Sequence, residues 1–575
     1  MQAREMYENW LNSSFVDETT KEELRSIADQ PQEIEERFYK QLEFGTGGLR
    51  GVLGAGTNRV NPYTIRRATQ GLANYIALQG EAAKQKGVVI AHDSRHQSPE
   101  LSLETACTLA ANGIRVYLFE SLRPTPELSF AVRHLGAQAG VVLTASHNPP
   151  EYNGYKVYWE DGGQIVPALA KEVIAAVNAV GDFSDVRTRS REEAEAAGLL
   201  TWIGAEVDDA YMVELKKLIL NPEVIREVAD DFKVVFTPLH GAGNESIQRV
   251  LREIGFTKVH VVPEQERPDP NFSTVKSPNP EEREAFTLAM AQAAEIGADL
   301  IIGTDPDCDR VGVVVRNAEG EFEVLSGNQT GVLLLHYILS EREKRGLIPQ
   351  GATMVKTIVT SEMGRAVASR YGVDTIDTLT GFKYIGEQIR LFEESGERTF
   401  LFGYEESYGY LAGTFVRDKD GVMSTMLIAE MAAFYRKQGV TLYEALQNLY
   451  REFGFYKESL VSRTLKGIDG MRQMQEILEN MRNQPPVELG AYTVAEARDY
   501  LNGSLTRTAD GSSEALALPK ENVLHYTLAD GSWFCLRPSG TEPKIKFYFS
   551  MKGATEQEAN EKLEQVQKLV LARVE

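Results

Sequence analysis

The sequence predicts an α/β protein made of three similar α/β domains followed by a smaller α+β domain. Two observations carry that reading. A chain of 575 residues is too long for one compact core. A pattern of strand, helix, strand and third strand ending in a polar loop is also written three times.

The first copy runs through GVVIAHDSR (87–95) and IRVYLFES (114–121) to AGVVLTASHNP (139–149). The second has KVVFTPLHGAG (233–243), TKVHVVPE (257–264) and ADLIIGTDPDCDR (298–310). The third has TMVKTIVTS (353–361), GVDTIDTLTG (372–381) and RTFLFGYEES (398–407). Each is a short β-branched run of the kind buried on both faces of a parallel sheet. Periodic stretches between them, such as Pro280–Ile296, read as helices. From about Phe453 the texture changes. A polar, low-order stretch (Asn502–Ser513) precedes a strand–loop–strand–helix ending, which reads as the α+β domain. The expected divisions are 1–205, 206–318, 319–452 and 453–575.

Composition narrows the function. The hydrophobic share of 42% and charged share of 25% are those of a soluble globular protein. The apolar run GVLLLHYIL around Leu334 is far too short to span a membrane, and MQAREMYENW has no secretory core. Cys107, Cys308 and Cys535 cannot all pair and do not have zinc-site spacing, so a reducing cytoplasm is expected. A formal net charge of −22 repels nucleic acid and anionic membranes. It repels a phosphorylated substrate too, so any phosphate site must build its own positive pocket.

The strand-end loops hold the chemistry, because ligands of open α/β sheets bind beyond the carboxyl ends of strands. TASHNP presents Ser146 on a tight turn beside His147 and Asn148, with Lys156 following in NGYK; Ser146 is a candidate nucleophile. The flanks do not form a G-x-S-x-G elbow, which weakens a hydrolytic triad. DPDCDR offers Asp305, Asp307 and Asp309 at alternate positions, hard oxygen ligands suited to Mg²⁺, with Arg310 placed to brace them. A calcium EF-hand fails, since its sixth and twelfth places hold Arg310 and Arg316. A dehalogenase-type phosphotransferase is weakened by Asp309, where Thr or Val is wanted. GYEES supplies Glu405 and Ser407 as acceptors for sugar hydroxyls. Thr380, Gly381 and Lys383 (TGFK) and Arg417 and Lys419 (RDKDG) lie nearby in sequence. RPSGTEPK combines Arg537, Ser539, Gly540, Thr541 and Lys544, a ring of donors able to hold a phosphate. GTGGLRG (45–51) ends on Arg50 but lacks the Lys-Ser/Thr of a P-loop.

In this order the loops GTGGLRG, TASHNPPEYNGYK, DPDCDR, GYEESYG and RPSGTEPK resemble the α-D-phosphohexomutase superfamily, over residues 40–550, and most closely its bacterial α-phosphoglucomutase branch. The resemblance implies four domains around a central cleft, the last of TATA-binding-protein-like form. It implies an intramolecular phosphotransferase, an isomerase of carbohydrate metabolism. Glucose 1-phosphate and glucose 6-phosphate would interconvert through phosphorylated Ser146 and glucose 1,6-bisphosphate, which serves as intermediate and activator. Phosphomannomutase or phosphopentomutase activity would use the same machinery. Mg²⁺ would be held by Ser146, Asp305, Asp307 and Asp309. Arg50, His147, Lys156 and Lys419 would assist transfer, with His147 or Lys156 as base. Glu405, Ser407, Thr380, Gly381, Lys383 and Arg310 would contact substrate, and Arg537, Ser539, Gly540 and Thr541 its distal phosphate. The expected partners are sugar phosphates only, with no nucleic acid or membrane, and the expected state is a monomer or weak homodimer. DPDCDR replaces the commoner DGDGDR but keeps each Asp. The segment between Lys466 and Asn522 is longer than a minimal fourth domain needs, and the sequence gives it no function.

Overall fold

A computed structural model describes residues 2–465, 467–538 and 544–574. The chain divides into two compact units. The first comprises Met1–Thr330, Phe382–Gly403 and Ser407–Thr441; the second comprises Gly331–Gly381, Tyr404–Glu406 and Leu442–Glu575.

The first unit holds two sheets of one plan. In the first sheet, Val88–His92 is central, with Val116–Phe119 and Ala139–Leu143 parallel to it on either side. Tyr152–Trp159 then returns antiparallel to Ala139–Leu143, and Gly48–Val52 pairs antiparallel to that strand. Both Val88–His92 and Ala139–Leu143 are buried throughout, as their unbroken apolar runs require. The second sheet repeats the order. Val234–Thr237 lies between Val259–Val261 and Leu300–Thr304 in parallel, and Val311–Arg316 returns antiparallel. The register Val142↔Lys156↔Gly48 sets Lys156 level with the end of Ala139–Leu143, where the Ser146 turn begins.

Two differences from the sequence reading have local causes. The expected helix over Pro280–Ile296 begins as a 3₁₀ turn, Arg283–Phe286, and becomes α-helical only at Thr287–Ile296. Asn279 accepts the Glu281 N–H at 3.1 Å and closes a turn there first. Ahead of the first sheet, Gln2–Asn12, Glu18–Ser26 and Pro31–Phe38 form a helical cap. Its core joins Tyr7, Trp10 and Phe38 to Tyr63 by edge-on ring contacts of 5.3–5.8 Å.

In the second unit, Ala352–Thr357 and Asp374–Thr378 pair in parallel. The final region is an antiparallel sheet whose Phe455–Thr464 and Lys544–Gly553 pair over their full length. One face is covered by the helices Gly467–Asn483 and Glu556–Arg573, through Leu478, Met481, Val566 and Val570. The stretch expected to be of low order is partly a hairpin: Ser504–Arg507 pairs with Ser513–Ala515. Arg507 closes it, donating its N–H to Ser512 O at 2.9 Å and pairing with Glu514 at 3.0 Å. Backbone pairing needs no apolar side chains, so composition concealed it.

Candidate active site

In the first unit the Ser146 turn and the DPDCDR loop meet. Ser146 has φ 53°, a left-handed conformation unusual outside glycine. Its N–H donates to Thr144 Oγ1 at 2.8 Å, and its Oγ donates to Asp305 Oδ2 at 2.6 Å. His147 Nδ1 lies 3.3 Å from the same Oγ. Burial, followed by the charges of Arg310 and Arg50, holds the His147 imidazole well below its usual range, so the ring is neutral.

Asp305, Asp307 and Asp309 are 0–2% exposed, and each offers an oxygen within 4.8 Å of the others. Asp305 Oδ1 accepts the N–H groups of Asp309 (3.1 Å) and Arg310 (3.0 Å), which curls the loop on itself. Asp307 Oδ2 accepts from Lys156 Nζ at 2.7 Å and Thr125 Oγ1 at 2.8 Å. Asp309 Oδ2 lies 3.3 Å from Lys156 Nζ and 3.2 Å from Lys419 Nζ. Burial and then the charges of Asp307 and Asp309 push Asp305 well above the usual carboxylate range. Burial would also raise Asp307, but Lys156 outweighs it and holds that carboxyl far down. Burial would lower Lys156, but Asp307 and Asp309 raise it, so it stays an ammonium ion.

This donor set fits a divalent cation. The Oδ1 atoms of Asp307 and Asp309 are buried without a hydrogen-bond partner. Carboxylate oxygens that are buried, close together and unpartnered are hard ligands of the kind a divalent cation takes.

Other residues support the cluster. Tyr158 Oη donates to Asp418 Oδ2 at 2.6 Å, and Asp418 lies 3.0 Å from Lys419 Nζ. Gly421 donates its N–H to Cys308 O at 3.1 Å; a Cβ there would fall 2.4 Å from that oxygen, so only glycine allows the approach. Arg50 donates to Asn148 Oδ1 at 3.0 Å, and Lys383 reaches Thr46 Oγ1 at 2.9 Å beside GTGG. Arg310 stands 3.9 Å from Asp309 in the acidic loop, and its guanidinium also pairs with Glu281 at 2.6 Å. Arg417 is fully buried against Glu393 at 2.5 Å. Ser407 is half-buried, next to Tyr408 at φ 64°.

The second unit holds Glu405, 4% exposed, whose Oε1 accepts the Gly381 N–H at 2.9 Å; the Thr380 hydroxyl is buried without a hydrogen-bond partner. Arg537, opposite Lys546 in the sheet, donates from Nε to Glu521 at 3.2 Å. Ser539, Gly540 and Thr541 lie outside the described residues. Sequence reasoning missed Thr125 and Tyr158, whose flanks carry no mark, and Asp418, although it lies between Arg417 and Lys419 in RDKDG. It also passed over Asp93, Arg95 and Thr144, although these sit at the ends of strands it identified.

A buried serine bonded to an acidic triad, on two sheets of one plan, is the arrangement that the resemblance to the α-D-phosphohexomutase superfamily implies. The chain belongs to the phosphoglucomutase/phosphomannomutase family. That family's α/β/α domains I, II and III match residues 41–182, 209–320 and 326–453, and its C-terminal domain matches 486–568. The phosphoglucomutase of Staphylococcus haemolyticus is 39% identical over 518 residues, 90% of this chain and 91% of that protein. Two solved structures share the fold. Parafusin, a phosphoglucomutase of Paramecium, has a TM-score of 0.70 at 18% identity, covering 93% of this chain and 96% of its own. A phosphoglucomutase/phosphomannomutase family protein of Burkholderia thailandensis has a TM-score of 0.64 at 19% identity, covering 93% and 98%. No helix among the described residues is long and apolar enough to cross a membrane.

Proposed function

We propose that this chain is an α-phosphoglucomutase that interconverts glucose 1-phosphate and glucose 6-phosphate through a phosphoserine at Ser146. The observation that carries the reading is the 2.6 Å bond from Ser146 Oγ to Asp305, inside a buried triad of carboxylates. The names of the curated relatives favour glucose over mannose.

Asp305, Asp307, Asp309 and a phosphoserine oxygen would hold Mg²⁺, which when bound offsets charge on the transferring phosphoryl oxygens. In the forward step the P–O bond to Ser146 breaks as one forms to the free sugar hydroxyl, whose proton passes to a base. His147 is the better base. It is neutral and lies 3.3 Å from Ser146 Oγ, whereas Lys156 is held protonated by Asp307 and Asp309. Lys156, Lys419 and Arg50 supply fixed positive charge where the phosphoryl group passes. The bisphosphate then presents its other phosphate to Ser146, which is rephosphorylated as the product hydroxyl regains its proton. Glu405, Ser407, Thr380, Gly381 and Lys383 would meet sugar hydroxyls. Arg537 with Ser539, Gly540 and Thr541 would take the distal phosphate, and Arg310 would contact substrate.

The test compares kcat/KM for glucose 1-phosphate, mannose 1-phosphate and ribose 1-phosphate, with Mg²⁺ and trace glucose 1,6-bisphosphate. Glucose 1-phosphate should lead by at least about tenfold, roughly 1.4 kcal/mol of transition-state preference. A lead for mannose or ribose would replace the substrate assignment.

A further inference from the structure

Ser146 sits in a backbone conformation that a non-glycine residue does not hold without support; the left-handed region costs roughly 1–2 kcal/mol. The support comes from a buried ion pair that the transfer step does not use. The Arg95 side chain is 0% exposed, with Nε 3.3 Å from Asp93 Oδ2. Its guanidinium is spent on the backbone of the Ser146 turn. One nitrogen donates to Pro149 O at 2.7 Å and Tyr152 O at 3.0 Å. The other donates to Ser146 O at 2.6 Å and to Asn148 O. Asp93 holds the other side of the turn: its Oδ2 accepts from Thr144 Oγ1 at 2.6 Å, and Thr144 Oγ1 in turn accepts the Ser146 N–H. Both backbone polar groups of Ser146 therefore lead to the Asp93–Arg95 pair, the carbonyl directly and the N–H through Thr144.

The clamp is closed from the domain that carries the acidic triad. The Phe272 ring, 1% exposed, lies 5.0 Å from Arg95 Cζ. Phe272 is itself left-handed, at φ 48°. Asp269 holds its loop by accepting the Asn271 and Ser273 N–H groups, both at 2.9 Å, and Asn271 reaches His96 at 2.8 Å. One domain thus supplies both the carboxylate that Ser146 Oγ meets and the ring that covers the guanidinium behind Ser146.

We propose that Arg95, anchored by Asp93 and covered by Phe272, is a positioning residue that aims Ser146 Oγ for phosphoryl transfer. The inference rests on the reading of Ser146 as the phosphorylated nucleophile. Arg95 touches neither substrate nor reacting atoms. It acts on the angle at which Oγ is presented, and an error of about 1 Å there costs on the order of 10²-fold in rate.

The experiment uses full-length Arg95→Lys, Phe272→Leu and, as reference, Ser146→Ala. For each, kcat and KM for glucose 1-phosphate, the single-turnover rate of transfer from the phosphorylated enzyme, and cooperative unfolding are measured. Lysine cannot fork to four carbonyls, so Arg95→Lys should lose about 10²-fold in kcat and single-turnover rate, with KM within about threefold. Phe272→Leu keeps the cover but loses the ring, and should show the same split at about five- to tenfold. If kcat per folded molecule stays within threefold of the parent in both variants, Arg95 only supports the fold and the inference is overturned. Should Arg95→Lys fail to fold, Phe272→Leu decides by the same criterion. Turnover retained by Ser146→Ala would overturn the phosphoserine reading itself. An inactive Ser146→Ala beside unaffected Arg95 and Phe272 variants would overturn the positioning role alone.

Discussion

The Ser146 cluster of the first unit and Arg537 of the second hold their polar groups in opposite ways. In the first, Ser146 and the three Asp are at most 5% exposed, and a lysine or a backbone N–H meets one oxygen of each Asp. In the second, the Arg537 side chain is 28% exposed and pairs with Glu521, also 28% exposed. Under the proposed mechanism the difference follows from what each would do. Charge moving between a serine and a sugar is best stabilised by fixed dipoles and ions shielded from water. A phosphate that is only held must be able to enter and leave, so its pocket stays wet and its binding energy modest. Changes in the first unit should therefore damage turnover, and changes in the second should damage affinity.

The sharpest break is Ser146→Ala, which removes the phosphoryl carrier. Mutase turnover should fall by more than about 10³-fold, over 4 kcal/mol in barrier, in a protein that still unfolds cooperatively. Near-normal turnover in Ser146→Ala with a dead Asp305→Asn would move the nucleophile to the acidic loop. Next comes Asp307→Asn, which removes the charge that Lys156 meets at 2.7 Å. It should lose about 10²-fold in kcat and need more Mg²⁺ for half-maximal rate. Loss of cooperative unfolding there would mark the loop as a structural element.

A smaller effect concerns pH and the second unit. His525 is 7% exposed and packs 4.9 Å from the Trp533 ring. Burial, and then the charge of Arg498, lower it to about 3. Its folded value lies below the ordinary 6.5, so its stabilising neutral form is fully present above pH 6.5. That contribution is lost as pH falls from 6.5 toward 3, amounting to about 2 kcal/mol by pH 5. His525→Gln should flatten the acid fall in urea midpoint between pH 7 and pH 5. An unchanged fall would place the acid-sensitive group elsewhere.

The same contrast explains what the sequence revealed. Strands buried on both faces are written as apolar runs, so Val88–His92, Ala139–Leu143 and Leu300–Thr304 were legible from composition alone. Ser146 and the Asp triad were legible because a strand end concentrates unusual residues. The supporting groups were not. Thr125 meets Asp307 across 182 residues and Tyr158 meets Asp418 across 260, separations that no local pattern encodes. Arg310 is shared between two acidic partners: its guanidinium pairs with Glu281 at 2.6 Å and stands 3.9 Å from Asp309, and adjacency in DPDCDR pointed only to the second. The helical cap at Gln2–Phe38 went unread because its apolar residues are few and scattered among charges.

The mildest test asks whether the second unit contributes affinity alone. Arg537→Lys keeps a positive charge beside Lys546 but replaces a planar fork with a single ammonium. A phosphate held by two parallel N–H···O bonds would keep its Coulomb attraction and lose its bidentate geometry. KM for glucose 1-phosphate should rise about tenfold, near 1.4 kcal/mol, while kcat changes by less than about threefold. Such a split would place Arg537 in uniform binding, present equally in ground and transition states. An equal fall in kcat with KM unchanged would show that its contact forms only in the transition state. The contrast between a dry catalytic unit and a wet holding unit would then be wrong, and the phosphate loop would share in catalysis.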